Sequence, residues 1–151
     1  MRLSATDANR HAATPRTRYA FLTLPDYSMI ALTNAIEPLR MANRVSGQGA
    51  YEWLVVTPDG EPVTASNGLM MTPTRRLADA PDVDMVFVCG GVNVREAVSP
   101  ALVNVLRRLA ARRMPLGALC TGGYALAQAG LLDGYHATIH WENLSALREQ
   151  F

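Results

Sequence analysis

Short apolar runs, each closed by a turn signal, recur along the chain from residue 18 onward. Continuous runs of this kind are typical of strands that are covered on both faces of a sheet. A weaker pattern around Asn67-Gly68 predicts a small hairpin over 62–72, because Asn-Gly is a favoured two-residue turn. We therefore expect this hairpin at an edge of the fold, together with buried strands at 18–24, 51–57, 84–89, 115–119 and 136–139.

Between the strands, apolar residues recur at the three- and four-residue spacing of amphipathic helices. One helix is expected over 29–44, capped by Ser28 and kinked at Pro38, which removes an interior hydrogen bond. A second helix opens at Ser99-Pro100, where a capping residue precedes a first-turn proline. Two shorter helices are expected over 124–129 and 141–150. The alternation predicts an α/β fold, a three-layer α-β-α sandwich around a mostly parallel sheet.

The chain has 151 residues, of which 49% are hydrophobic, enough for one globular domain with a substantial core. Its 14 basic residues, all arginine, nearly balance 13 acidic ones, so overall charge gives no reason to expect binding to nucleic acid or anionic membranes. We interpret the polar residues 1–17 as a flexible leader, with a transit peptide as the alternative. Without a secretory signal or a membrane-length apolar stretch, the sequence predicts a cytoplasmic protein.

The two cysteines, Cys89 and Cys120, have no partners at metal-binding spacing. We therefore predict reduced thiols, with no disulfide, no metal site and no cofactor. Cys89 lies inside an apolar run, where a free cysteine usually only packs. Cys120 lies between a short buried strand and two glycines, at the start of a helix, where backbone N–H groups favour the thiolate. Cys120 is the candidate binding or reactive residue of the chain.

Three segments follow strands that end at the same edge of the predicted sheet, where ligands of open α/β folds bind. Backbone N–H groups near Gly91 and Thr121 are expected to converge on an oxyanion or a carboxylate, with Gly122 leaving room for close approach. His140 is expected to exchange a proton beside the Cys120 sulfur. The three segments are Cys89-Gly90-Gly91, Cys120-Thr121-Gly122-Gly123 and Ile139-His140-Trp141.

The stretch from Ala118 to Leu144, with its Leu-Cys-Thr-Gly-Gly and Ile-His-Trp-Glu-Asn-Leu segments, resembles the ThiJ/PfpI, or class I glutamine amidotransferase-like, superfamily. More narrowly, the segments Glu-Pro-Leu-Arg-Met-Ala-Asn-Arg at 37–44 and Val-Phe-Val-Cys-Gly-Gly at 86–91 are similar to the N-terminal sensor domain of GlxA-like AraC-family transcription regulators. The resemblance covers residues 18–151. It implies a flavodoxin-like, homodimeric domain that binds a small-molecule effector and controls a helix-turn-helix DNA-binding domain.

The superfamily's elbow cysteine corresponds to Cys120, its neighbouring histidine to His140, and its backbone donors to Gly91 and Thr121. Enzymes of the superfamily also place an acid at the start of the first helix, against the thiol. The segment 28–32 offers no carboxylate, which disfavours catalysis by Cys120 and His140. We predict a sensor domain and keep two alternatives. One is a small cysteine enzyme (glyoxalase, deglycase or amide hydrolase), and the other is a redox or partner-binding module that uses Cys120.

Related regulators continue past the position of Phe151 with further strand and helix, a linker and helix-turn-helix units. The resemblance therefore implies a C-terminally truncated domain, whose DNA binding would rest with the missing part. The same segments resemble regulators of glycine betaine, carnitine or arginine catabolism. Cationic effectors of that kind suit aromatic faces, each contact contributing about 0.5–2 kcal/mol. The candidate ligand-binding residues are Gly91, Cys120, Thr121, Gly122 and His140, with Tyr27, Tyr124 and Trp141 as the aromatic members.

Overall fold

The computed structural model describes residues 16–80 and 82–151. Parallel pairing joins five strands, β1 Thr17–Thr23, β2 Tyr51–Thr57, β5 Arg75–Arg76, β6 Met85–Cys89 and β7 Leu116–Leu119, into one sheet. The strand order in this sheet is β5-β2-β1-β6-β7. Residues 1–15 of the leader predicted for 1–17 lie outside the described residues. The last residue of that leader, Thr17, belongs to β1.

A separate antiparallel hairpin pairs β3 Val63–Thr64 with β4 Met70–Met71. Its turn contains Gly68 at a φ of +84°, a left-handed conformation that glycine adopts without a steric penalty. The hairpin predicted from Asn67-Gly68 is therefore confirmed. It is tied to the loop after β1, because the Asp26 N–H donates to the Thr64 carbonyl over 3.0 Å and the Ser66 N–H to the Tyr27 carbonyl over 3.0 Å.

The helices are α1 Met29–Ser46, α2 Val94–Ala97, α3 Pro100–Ala111, α4 Gly123–Gln128 and α5 Leu144–Gln150, with 3₁₀ turns at Leu77–Asp79 and Trp141–Asn143. Both predicted caps are confirmed, because the Ser28 hydroxyl accepts from the Ala31 N–H and the Ser99 hydroxyl from the Leu102 N–H. Helix α1 continues through Pro38 without a break. A bend of its axis at that proline stays a prediction.

Helices cover both faces of the sheet, which confirms the predicted three-layer α/β fold. On one face, Leu32 and neighbouring residues of α1 pack against Phe21 and Cys89. On the other face, α3 and α4 contribute Leu106 and Ala125 to a core built on β1, β2, β6 and β7. Strand side chains alternate between the two cores, so the apolar runs of β1 and β6 reflect burial on both faces.

The strands differ from the sequence expectations in two places. The strand expected at 136–139 is wrong, because none of these residues forms a backbone hydrogen bond with β7; Ala137 and Thr138 line a cavity of about 680 Å³ together with Leu116 and Gly117. Strand β5, which was not predicted, pairs Arg75 and the residue after it with the end of β2. The exposed arginines of β5 give no apolar signal.

Candidate functional site

Cys120 lies on a sharp turn between β7 and α4, as the sequence predicts. Its backbone adopts a φ of +55°, in the left-handed region that side chains other than glycine rarely occupy. Two residues later, Gly122 packs against the main chain of β6: a Cβ atom there would lie 2.8 Å from the Val88 carbonyl carbon and closer still to its oxygen. The turn is therefore held against β6 by backbone contact that requires glycine. We call the turn 120–122 the elbow.

The segment Gly90-Gly91 after β6 closes one side of the elbow. The Thr121 hydroxyl donates to the Gly91 carbonyl over 2.7 Å, and a Cβ atom on Gly90 would meet the backbone nitrogen of Gly122 at 2.5 Å. On its other side, Gly91 forms an antiparallel bridge with Tyr27. The structure thus brings together Gly91, Thr121 and Gly122, as predicted from the order of the strands.

The amides of Gly91 and Thr121 are the predicted donors to an anionic group. Among the described residues, neither amide donates a hydrogen bond to a backbone or side-chain acceptor. Free backbone N–H groups beside a thiol are the arrangement that stabilises a developing oxyanion or a bound carboxylate. Their convergence on one ligand atom stays a prediction.

His140 meets the elbow through its backbone. Its N–H donates to the Cys120 carbonyl over 3.2 Å, which fixes the segment 139–141 beside the backbone of Cys120. The imidazole is about one-third exposed, and its Nδ1 lies 3.6 Å from a carboxylate oxygen of Glu142. The Trp141 ring lies beside the imidazole, with centroids 5.8 Å apart. The predicted neighbourhood of His140 and Cys120 is present, and proton exchange between their side chains stays a prediction.

The three aromatic candidates differ in accessibility. Trp141 is 74% exposed and presents its ring to solvent beside His140. Tyr124 is buried, and its hydroxyl lies 3.2 Å from the Gln150 side-chain oxygen. Tyr27 is fully buried between α1 and the sheet, so its ring offers no face to a ligand in this conformation. Burial raises the pKa of Tyr27, and the neighbouring Cys89 raises it further.

The carboxylates nearest in sequence to the start of α1 are engaged elsewhere. Asp26 accepts a hydrogen bond from the Asn93 amide over 3.1 Å. Glu37 is exposed on α1 and forms an ion pair of 2.6 Å with Arg40. In the structure, neither carboxylate makes a hydrogen bond to the elbow.

Cys89 has the packing role that the sequence predicts. It is 1% exposed, and its thiol lies 3.7 Å from the Phe87 carbonyl oxygen. Burial raises the pKa of the Cys89 thiol far above its usual range, and the nearby Cys120 adds to the shift. Cys89 therefore stays protonated beside the elbow, and Cys120, which is only partly buried, is the accessible thiol.

Sequence reasoning missed two polar residues at this edge. Glu142 lies against His140 and is placed to orient the imidazole, and Asn93, at a φ of +56°, ties the Gly91 loop to Asp26. The tolerance of asparagine for left-handed backbone was the one available signal for Asn93. The position of Glu142 depends on the 3₁₀ turn Trp141–Asn143, which the sequence did not predict.

The fold and the elbow agree with comparisons to known proteins. A model of the DJ-1/PfpI family matches residues 20–150. The chain belongs to the DJ-1/PfpI family. This DJ-1/PfpI domain is 48% identical over 131 residues to the HTH-type transcriptional regulator GbdR of Pseudomonas aeruginosa, a match that covers 87% of this chain and 36% of GbdR. The domain thus spans about a third of that regulator.

Two further relatives show the range of the DJ-1/PfpI family. The crystal structure of an AraC family transcriptional regulator from Pseudomonas putida superposes with a TM-score of 0.79 at 32% identity, over 89% of this chain and 72% of that one. The isonitrile hydratase of Pseudomonas putida is 33% identical over 122 residues, which covers 80% of this chain and 51% of the hydratase. The resemblance stated from the sequence is confirmed, and the relatives of this chain include an enzyme as well as regulators.

Within residues 16–80 and 82–151 of the DJ-1/PfpI domain, no helix combines the length and the apolar character needed to cross a membrane.

Proposed function

We propose that this DJ-1/PfpI domain is the effector-sensing part of an AraC-type transcription regulator. The observation that carries the proposal is the elbow itself. Cys120, the free amides of Gly91 and Thr121, and the exposed Trp141 beside His140 lie together at the carboxyl edge of the sheet. The similarity to GbdR over most of this chain supports the same function.

The effector is a small metabolite with a cationic group and a carboxylate, such as glycine betaine, carnitine or arginine. The free amides of Gly91 and Thr121 suit the carboxylate, and the exposed Trp141 ring suits a quaternary ammonium or guanidinium group. Glu142, next to Trp141, adds negative charge on the same side. The effector thus needs both charges, separated by a short spacer.

In the longer regulator, effector binding would shift the balance between two orientations of a helix-turn-helix domain outside this chain. Such a shift requires only that the effector bind one orientation more tightly than the other. We further propose that the regulator acts in the cytoplasm as a homodimer, as the regulator resemblance implies. DNA is contacted by the helix-turn-helix part, because this domain has a net charge of +1 and no strongly basic excess.

Titration calorimetry with glycine betaine, carnitine and arginine tests the proposed effector class. A Trp141→Ala variant should bind the best effector about 2- to 30-fold more weakly, the range expected for one lost cation–π contact. Tyr135→Ala is the matched control, because Tyr135 is equally exposed but lines the cavity beside β7. No heat of binding from any of the three compounds with the folded domain, or equal losses in both variants, would overturn the proposal.

A cysteine enzyme remains the second candidate, and two observations favour it. Cys120 has the strained backbone of a nucleophile elbow, and isonitrile hydratase is a relative at 33% identity. The distinguishing experiment compares wild type and Cys120→Ala in hydratase, glyoxalase and amide hydrolase assays. Turnover that disappears in Cys120→Ala would establish the enzyme. Effector binding that survives in Cys120→Ala, without turnover in either protein, would establish the sensor.

A further inference from the structure

The chain between β2 and β6 has no regular α-helix among its described residues. It contains the hairpin β3–β4, strand β5 and the three-residue turn Leu77–Asp79. That turn and one side of α3 leave a cavity of about 580 Å³ over the sheet, within the size range of small-molecule sites. The cavity shares no lining residue with the elbow. We call it the crossover cavity.

The crossover cavity is apolar inside and carries two positive charges on one side. Its apolar lining includes Leu77, Val83, Val86, Val105, Leu109 and Met114. Arg108, in the last turn of α3, and Arg112, the residue that caps its C-terminal end, are exposed side chains that also line it. A four-residue spacing places both guanidinium groups on the same face of the helix.

The two guanidinium groups are unpaired within the part of the chain that the structure describes. Among the described residues, Arg108 and Arg112 form no ion pair and donate no side-chain hydrogen bond. By contrast, Arg107 on the same helix donates to the Ala129 carbonyl over 3.0 Å. Like charges at this spacing repel each other and slightly destabilise a helix. The helix dipole favours a positive charge at the C-terminal end of α3, and an anion between the two arginines would relieve their mutual repulsion.

We propose that the crossover cavity binds a small amphiphilic carboxylate. The apolar chain of the ligand would lie against Val105, Leu109 and the sheet, and its carboxylate would be held by Arg108 and Arg112. Guanidinium groups bind carboxylates through paired, charge-assisted hydrogen bonds, and the apolar lining favours an alkyl or aryl body. A hydrophilic anion would not cover the apolar lining, and a neutral amphiphile would leave the two arginines without a counter-charge. The site is a second ligand site and is independent of the proposed effector at the elbow.

Methyl-resolved NMR of the 151-residue chain, titrated with octanoate, tests this proposal. Octanoate should shift the methyl resonances of Val105, Leu109 and Met114 in a saturable manner. Octylamine, which has the same chain length and the opposite charge, should bind at least about tenfold more weakly, because it exchanges two charge-assisted hydrogen bonds for repulsion. 1-Octanol should fall between the two.

Substitutions of the exposed Arg108 and Arg112 test whether their positive charges are needed for binding, and they leave the core unchanged. The double variant Arg108→Gln with Arg112→Gln should weaken octanoate binding at least about tenfold. The matched control is Arg95→Gln, on the exposed side of α2 and outside the cavity. Equal affinity for octanoate and octylamine, unchanged affinity in the double variant, or the absence of methyl shifts would refute the proposal. Methyl shifts that follow protein concentration would also refute it, because a second copy would then cover the cavity.

Discussion

Replacing Gly122 by alanine should destabilise the domain strongly. The added Cβ would lie 2.8 Å from the Val88 carbonyl carbon, where unstrained carbon atoms are about 3.5–4.0 Å apart. Gly122 has an ordinary helical backbone, with φ of −58° and ψ of −21°, so alanine introduces no backbone strain and the cost is steric. Both partners are main chain, and the elbow would have to move away from β6 by roughly 1 Å. Overpacking of this kind costs about 3 kcal/mol or more when neither side can yield.

The adjacent Gly123→Ala variant is the matched control. A Cβ atom there would lie 3.4 Å from the Thr138 carbonyl oxygen, an ordinary contact. Position 123 begins α4, and alanine is favoured over glycine in helices by up to about 1 kcal/mol. The two substitutions add the same atom at neighbouring positions, so composition and unfolded-state effects cancel between them.

Urea denaturation followed by circular dichroism measures the difference. With a slope of roughly 2 kcal/mol per molar urea, Gly122→Ala should lower the midpoint by about 1.5 M, and Gly123→Ala should raise it by up to about 0.5 M. Midpoints that agree within about 0.3 M would refute the steric reasoning, because the elbow would then be free to move away from β6.

Two further outcomes are expected. In the native domain, a maleimide should label Cys120 and leave Cys89 unmodified until urea unfolds the chain, because Cys89 is buried and its pKa is raised. Mass spectrometry follows the labelling, and equal early modification of both thiols would contradict this prediction. Hydrogen bonds from Arg16 and, to a smaller extent, from Arg18 lower the pKa of Glu52 in the folded domain. The ionised Glu52 therefore contributes its full stabilisation above the unfolded pKa of about 4.3, and this stabilisation is lost as the pH falls through the lower folded pKa. Glu52→Gln should therefore lower the melting temperature at pH 7 and have little effect near pH 3, and a difference that persists at pH 3 would refute the ion-pair account.

The strands that could be predicted from the sequence are those buried on both faces. β1, β2, β6 and β7 are runs of apolar residues, and their burial in two cores explains why the pattern is continuous. β5 could not be predicted, because its two arginines are exposed at the sheet edge and gain no stability from burial. The strand expected at 136–139 is not formed, because a strand needs a neighbouring backbone to pair with and these residues make no backbone hydrogen bond to β7.

The main chain of the candidate site was more predictable than its side chains. Strand order placed Gly91 and Cys120 at one edge. His140 reaches the same edge without the strand expected at 136–139, because its N–H donates a hydrogen bond to the Cys120 carbonyl. The exposure of Tyr27 and Trp141 could not be inferred, because aromatic residues near strand ends are buried or exposed according to the loops that cover them. Tyr27 is enclosed under α1, whereas Trp141 lies on an uncovered 3₁₀ turn.

The left-handed backbone of Cys120 has a consequence for substitution at that position. A residue with a Cβ atom loses about 1–2 kcal/mol in this conformation, and glycine would avoid the loss. A search for thermostable variants should therefore recover Cys120→Gly, a variant that keeps the turn and lacks the thiol. Selection for stability of the fold therefore favours glycine at position 120, whereas selection for a function of the thiol favours cysteine.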